Sequence, residues 1–393
     1  MAGPLTHIQV LDLSRILAGP WATQFLADLG ANVIKVERPN VGDDTRQWGP
    51  PFVESLDHSQ AALSAYYLSA NRGKRSLEVD LSSTEGQQLI YQLVKKSDVI
   101  VENFKAGTLK KLGLSYNDLK QHNPQIVYCS ITGFGQDGPR HEQAAYDFMI
   151  QAMSGLMSIT GEPESQKGVP QKVGIPIVDL MTGMYASSAI LAALNHRERT
   201  GQGEYIDIAM LDVMVSTLAN RKMSYLTSGQ IPQRTGNRHP NIQPQDVFAC
   251  QDGYIAIVVG NDQQFLKLCD VIKQPALKSN PHFQSNELRV SHAEQLVNIV
   301  AAAFAQADKS YWLDRLNLAG IPCSPINRID EILNDPQIKH RDLVSYIEHP
   351  QFGNIPQMKN PIKFHNATLD SVSSPPLLGE FNTEIAQWLK QSS

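Results

Sequence analysis

The first half of the chain alternates apolar segments of strand length with helical patterns, and no other feature restricts the fold as much. Strands are predicted at Ile8 to Leu13, Asn32 to Glu37, Ser76 to Leu81, Asp98 to Asn103 and Gln125 to Ile131. Helices are predicted at Pro20 to Leu29, Ser83 to Lys96 and Ser115 to Gln121. In Ser82-Ser83-Thr84-Glu85, hydroxyl caps precede an acid in the first turn, a good helix start. Strand-helix alternation of this kind specifies an α/β fold with a parallel sheet covered by helices.

The texture changes from Phe148 to Arg197, where two helical stretches flank a Gly/Pro-rich connection, Gly161 to Pro176. The second stretch, Thr182 to Asn195, is rich in alanine and leucine and is expected to be buried. A strand at Tyr205 to Ala209 leads into a helix ending near Leu226, and Thr227 to Gln245 then loses hydrophobic pattern. Val247-Phe248-Ala249 and Tyr254 to Val259 flank Asp252-Gly253 and read as a β-hairpin. With 393 residues the chain is too long for one core. The domains are placed at 1–210 (large), 211–245 (linker helix and loop) and 246–325 (small α+β). The tail from Ile321 reads as Pro-rich and irregular, with a last helix near Thr383 to Lys390.

A formal charge of −5 argues against a general nucleic-acid binder. The cysteines, Cys129, Cys250, Cys269 and Cys323, form no CxxC pair, so neither a disulfide framework nor a zinc site is expected, and no metal is assigned. The N-terminus lacks a signal-peptide pattern, and no apolar run reaches the roughly 20 residues of a membrane span. The expected location is the cytoplasm, with no nucleic-acid or membrane partner.

A dinucleotide-binding turn needs G-x-G-x-x-G so that the backbone can approach a pyrophosphate. Here the first turn reads Ser14-Arg15-Ile16-Leu17-Ala18-Gly19-Pro20, which argues against NAD. Cations recur near the predicted strand ends: Lys35 and Arg38; Arg72, Lys74 and Arg75; Lys105, Lys110 and Lys111. Gathered at one sheet edge they suit a ligand with several phosphates; individually they also suit a solvated face. Asp179 follows an apolar run and precedes the long apolar helix, a position for an N-cap or for a reactive carboxylate beside helix amides. Tyr146 and Asp147 form a second polar pair, which ordinary turn and packing roles would also explain. His239, within Arg234-Thr235-Gly236-Asn237-Arg238-His239-Pro240-Asn241, lies in a loop without a helical face to pack it.

In order along the chain, several stretches resemble the family III CoA-transferases, which include formyl-CoA and carnitine CoA-transferases and α-methylacyl-CoA racemases. They are Val10 to Leu13 with Ala18-Gly19-Pro20, Leu29 to Pro39, Asn71 to Ser76, Val101 to Phe104, Ile131 to Gly135, Asp179 with Thr182-Gly183-Met184, and Pro375 to Gly379. The resemblance implies a Rossmann-like large domain built from both chain ends, so that 326–393 rejoins the first part, and an interlocked homodimer. It places the nucleophile on Asp179 and coenzyme A contacts on Arg38, Asn71, Arg72, Lys74, Arg75, Asn103, Phe104 and Lys111. It implies transfer through an aspartyl-acyl anhydride and an aspartyl-CoA thioester, with acyl-CoA and carboxylic acids as substrates.

Racemases of the family carry a histidine where this chain has Tyr146, whose phenol is a poor base near neutrality. Formyl-CoA transferase has a glutamine where this chain has Leu17, and a glycine-rich loop where it has the region around His239. The likeness is greatest to the succinyl-CoA:dicarboxylate branch, through Arg15 to Pro20, Gly42 to Arg46 with Trp48 to Val53, and Tyr128 to Gly133. Arg46 and His239, with Arg15 and Arg238 behind them, are the candidates for a distal carboxylate, although a surface salt bridge would equally explain Arg46; Tyr146 and Leu17 are the other substrate-side positions. A racemase-type isomerase and a CoA-binding protein without turnover are the alternatives.

Overall fold

A computed structural model describes residues 3–58, 60–369 and 373–391. Two compact units emerge: one comprises Met1–Leu156, Val173–Thr227 and Gln337–Ser393, the other Met157–Lys172 and Ser228–Pro336.

The first unit is built on six parallel strands: β1 (Gln9–Asp12), β2 (Asn32–Glu37), β3 (Lys74–Glu78), β4 (Val99–Glu102), β5 (Val127–Thr132) and β6 (Glu204–Ala209). Their spatial order is β3-β2-β1-β4-β5-β6. Successive side chains of each strand enter opposite cores, because a strand's side chains alternate in direction. Val10, Val33, Val99, Val127 and Cys129 enter one core, where α1 (Ala18–Asp28) and α4 (Ile177–Thr200) pack. Leu11, Ile34, Ile100 and Tyr128 enter the other, with α2 (Thr84–Val94) and the C-terminal helix Asn382–Gln391. The winding reverses between β1 and β4, and at such a reversal the strand carboxyl ends open a crevice.

The expected strand at Ser76 begins two positions earlier, at Lys74, which pairs with Val33 of β2. Lys74 and Arg75 therefore lie inside a strand, at its amino end, and not in a carboxyl-end loop. The helix after β6, Met210–Thr217 continued by Ala219–Ser228, belongs to the first unit, because Met210, Val213 and Met214 are buried in its core. The chain returns to this unit at Gln337, later than the expected 326, since Cys323–Pro325 pairs with the second unit's central strand. The tail is also more regular than expected: Val344–His349 and Gly353–Met358 form an antiparallel hairpin.

The second unit has a three-stranded antiparallel sheet in which the predicted hairpin, Gln245–Cys250 and Gly253–Val258, is extended by Cys323–Pro325. Helices including Asp262–Val271, Ala293–Phe304 and Lys309–Leu318 close its core around Phe248, Phe304 and Trp312. Segment 157–172 joins it because Gly236 N–H and the Arg234 guanidinium donate to the carbonyls of Gly161, Glu162 and Gly168.

Helix α4 meets the length and apolarity of a membrane span, which the sequence reading denied to every segment. In the fold it packs against α1 and the sheet, with Val178, Gly183, Ala186 and Ile190 buried. The two helices approach closely at Gly183, where a methyl group would stand 2.8 Å from the Ala18 carbonyl oxygen and 3.0 Å from the Trp21 ring. Overpacking of this kind costs about 1–3 kcal/mol. Gly183→Ala should therefore lower stability by about that amount in urea unfolding, although alanine is the better helix former. An alanine variant as stable as the parent would contradict the close packing.

Candidate active site

Asp179 is the third residue of α4, and the residue ahead of the helix is Pro176, which offers no capping side chain. The N-cap role considered for Asp179 is filled by Asp147, from α3 (Asp147–Met153). One Asp147 oxygen accepts from the backbone N–H of Val178 at 2.8 Å and of Asp179 at 3.3 Å. Its other oxygen accepts from the Gln151 amide at 2.6 Å, and the Gln151 carbonyl accepts from Val173 N–H at 2.9 Å. The amides that would ordinarily stabilise an acid in the first turn are thus committed to a different carboxylate.

The Asp179 carboxylate is half-buried and, among the described residues, receives no hydrogen bond. Burial, reinforced by the Asp147 charge, pushes its pKa up to about 7. A like charge beside a desolvated carboxyl disfavours its ionised form. Tyr66 feels both charges: its phenol, already raised by burial, goes up to about 12.

Asp179 lines a cavity of about 150 Å³ at the carboxyl ends of β1, β4 and β5. Arg15, Ile16 and Ala18 border it on the β1–α1 side, Asn103 to Ala106 after β4, and Thr132, Gly133, His141 and Gln143 to Asp147 after β5. A second cavity, of about 220 Å³, lies at the ends of β1, β2 and β3, bordered by Lys35, Arg38, Asp43, Asp80 to Ser82 and Leu112. Arg15 and Phe104 line both. The Asn103 side chain reciprocally bonds the Arg15 backbone, accepting its N–H at 2.9 Å and donating to its carbonyl at 2.7 Å. An elongated ligand with an anionic end and a reactive end fits this pair of adjoining spaces.

The structure distributes the expected ligand residues unevenly. Arg38, Asn103 and Phe104 border the cavities, as does Tyr146. Arg38 is exposed and paired with Asp44, which Arg15 also contacts. Lys111 is exposed and lines neither space. Asn71, Arg72 and Lys74 are buried and engaged within the fold. Arg72 pairs with Asp28; Lys74 donates to Asp12, the Pro20 carbonyl and Asn71 at 2.9–3.0 Å, and burial pulls it down to about 8. Arg75 pairs with Glu384.

Arg46 is likewise not free for a substrate carboxylate. It grips Glu37 with two nitrogens at 2.8 and 2.7 Å, bonds the Tyr67 hydroxyl at 2.6 Å and stacks on the Tyr67 ring at 3.9 Å. Glu37, buried at the end of β2, requires such a partner. Leu17 is buried and absent from the cavity lining; its neighbour Ile16 lines it instead. His239 belongs to the second unit, where its Nδ1 accepts from Asn241 N–H at 3.1 Å.

The sequence reading left Ile16 and His141 out of the site, named Lys105 only among the recurring cations, and took Asp147 for a possible packing residue. Their positions in loops after strand ends were the available signal, and loops after other strands carry similar residues. Among the described residues no group of three His, Cys, Asp or Glu side chains forms a metal site.

Residues 5–382 match the profile of CoA-transferase family III. A succinate–glutarate CoA-transferase of Agrobacterium fabrum is 46% identical over 382 residues, covering 97% of this chain and 94% of its own. The Homo sapiens succinyl-CoA:glutarate CoA-transferase is 41% identical over 382 residues, covering 97% and 85%. The crystal structure of a CAIB/BAIF family protein from Brucella suis superposes with a TM-score of 0.88 at 44% identity, covering 99% of this chain and all of the other.

A carboxyl group whose pKa rises from 3.8 unfolded to about 7 folded binds its proton more tightly in the native state. It therefore subtracts stability as pH rises from about 4 to 7. Asp179→Asn should melt above the parent at pH 8 and show little difference near pH 4, with the gap opening between. A gap independent of pH, or one of opposite sign, would contradict the desolvated carboxylate.

Proposed function

The chain belongs to CoA-transferase family III, and on that premise we propose that it moves CoA from succinyl-CoA to a second dicarboxylic acid with Asp179 as the covalent carrier. The observation that carries this reading is the Asp179 carboxylate itself: desolvated, without a hydrogen bond among the described residues, and on the wall of a cavity at the topological switch. A carboxylate stripped of donors is a stronger nucleophile than a solvated one.

An Asp179 oxygen attacks the thioester carbonyl, the C–S bond breaks, and CoA leaves as thiolate. The thiolate then attacks the aspartyl carbonyl of the mixed anhydride. This releases the donor as its carboxylate and leaves an aspartyl-CoA thioester. The acceptor carboxylate attacks that thioester and expels the thiolate again. The thiolate finally takes the acceptor's acyl carbon, restoring the Asp179 carboxylate. No net proton or electron is required, so the residues have only to orient, desolvate and exclude water.

The nucleotide end of CoA is assigned to the cavity bordered by Arg38 and Asp80 to Ser82, with the pantetheine arm passing Phe104 and Arg15 toward Asp179. The names of the two relatives pair succinate or succinyl-CoA with glutarate, which supports dicarboxylates on both sides of the exchange. With Arg46 committed to Glu37, the groups available for a distal carboxylate in the Asp179 cavity are Arg15, Lys105 and His141. A homodimer is part of the proposal. Phe148, Met149, Met184, Tyr185, Met223 and Leu226 are exposed apolar residues of the first unit, on α3, α4 and Ala219–Ser228. Large exposed apolar side chains on these helices supply the kind of surface a partner subunit would cover.

Incubation with succinyl-CoA and a panel of glutarate, mesaconate, citramalate, oxalate and acetate, with products identified by mass, tests the reading. New dicarboxylyl-CoA that disappears with Asp179→Ala is expected. Transfer that survives the substitution, or none to any acid in the panel, would overturn it.

A further inference from the structure

The loop from Ser14 to Leu17 joins β1 to α1 at the winding reversal, and its main chain is held by side chains from several separate segments. Asp12 accepts from Ser14 N–H at 2.9 Å, and Asn103 holds the Arg15 peptide groups on both sides. Both Asp43 oxygens accept from Ile16 N–H, at 3.2 and 3.1 Å. Lys35 donates to the Ser14 carbonyl at 3.0 Å and to Asp43 at 2.9 Å. Both side chains of the Lys35–Asp43 pair are fully buried.

Ile16 has φ of +71°, in the left-handed region where a β-branched side chain is strained. Arg15 and Ile16 line the cavity that contains Asp179. A buried ion pair is a poor stabilising device compared with apolar packing of the same volume. This pair spends its hydrogen bonds on the main chain of a strained loop that borders the site. Asp43 also accepts from Thr45 N–H and Oγ1, and its own N–H donates to Glu37 at 2.9 Å, so the clamp is itself braced. Strain that the surroundings over-determine in this way marks a geometry kept for function.

Resting on the CoA-transferase reading, we infer that Asp43 is a positioning residue of the reaction, which holds the Ile16 main chain in its strained left-handed form and so shapes the cavity around Asp179. Asp43 touches no reacting atom in this account. It acts through the backbone of Ile16, and Lys35 supports it.

The test is a rescue. A glycine at position 16 adopts the same backbone without strain, so it needs the clamp less, whereas alanine truncates the side chain but retains the preference. In the full chain, with succinyl-CoA and glutarate as substrates, Asp43→Asn should lower kcat by about tenfold or more, as misplacement of a reacting group does. KM for succinyl-CoA should stay within about threefold. The same Asp43→Asn change should cost at most about threefold in the Ile16→Gly background, and the full loss in the Ile16→Ala background. Equal losses in both backgrounds, or an undiminished kcat, would overturn the proposal.

Melting temperatures supply a second readout that needs neither activity nor a well-folded Asp43 variant. Ile16→Gly should melt about 1–2 °C above Ile16→Ala. Equal or reversed melting would show an unstrained loop and overturn the proposal. Absence of transfer in the unsubstituted chain would instead fault the substrate reading, with the melting comparison still deciding the clamp.

Discussion

Two carboxylates meet at the start of one helix, and the chemistry assigned to this chain depends on how the fold divides their duties. Asp147 takes the amide hydrogens of Val178 and Asp179. Asp179, in the first turn of that helix, receives no hydrogen bond among the described residues. Had Asp179 capped its own helix, the same amides would have stabilised its anion and blunted it as a nucleophile. Placing the cap on a different element separates structural from reactive function. The cost is a poorly solvated carboxylate, and the close packing of α4 on α1 at Gly183 helps hold it in place.

The rest of the first unit places that carboxylate at the right edge of the sheet. The parallel order β3-β2-β1-β4-β5-β6 opens a crevice between β1 and β4. The turns after β1 and β4 are joined by Asn103 and the Arg15 backbone. In dinucleotide-binding sheets glycines let the first turn approach a pyrophosphate. Here a braced, strained turn occupies that place, consistent with a ligand whose reacting end, not its pyrophosphate, lies nearest α1.

Much of the architecture was legible because strand patterns buried on both faces are hard to mistake. Asn32–Glu37 was read to the residue, and the hairpin around Asp252-Gly253 from its turn. The start of β3 was placed late because Lys74 and Arg75 look like loop residues until Asp12 and Glu384 are seen to neutralise them. The hairpin Val344–His349 with Gly353–Met358 was missed because Pro356 breaks the strand pattern. At the site, Asp179 was found through resemblance. Its helical position and its trans cap were hidden, since the cap stands 32 residues away. Arg46 fills the salt-bridge role weighed against substrate binding, but largely buried and not on the surface, which stayed hidden because the acid it serves, Glu37, looked like an ordinary strand end.

The central claim is that the Asp179 carboxyl carries CoA covalently. Its most direct test is to incubate the protein with succinyl-CoA in the absence of an acceptor acid, reduce with borohydride, and map the peptides by mass. A thioester at Asp179 is reduced to the alcohol, so the account predicts homoserine at position 179, with no other aspartate altered. An unmodified Asp179 in protein that still exchanges labelled succinate into succinyl-CoA would contradict it.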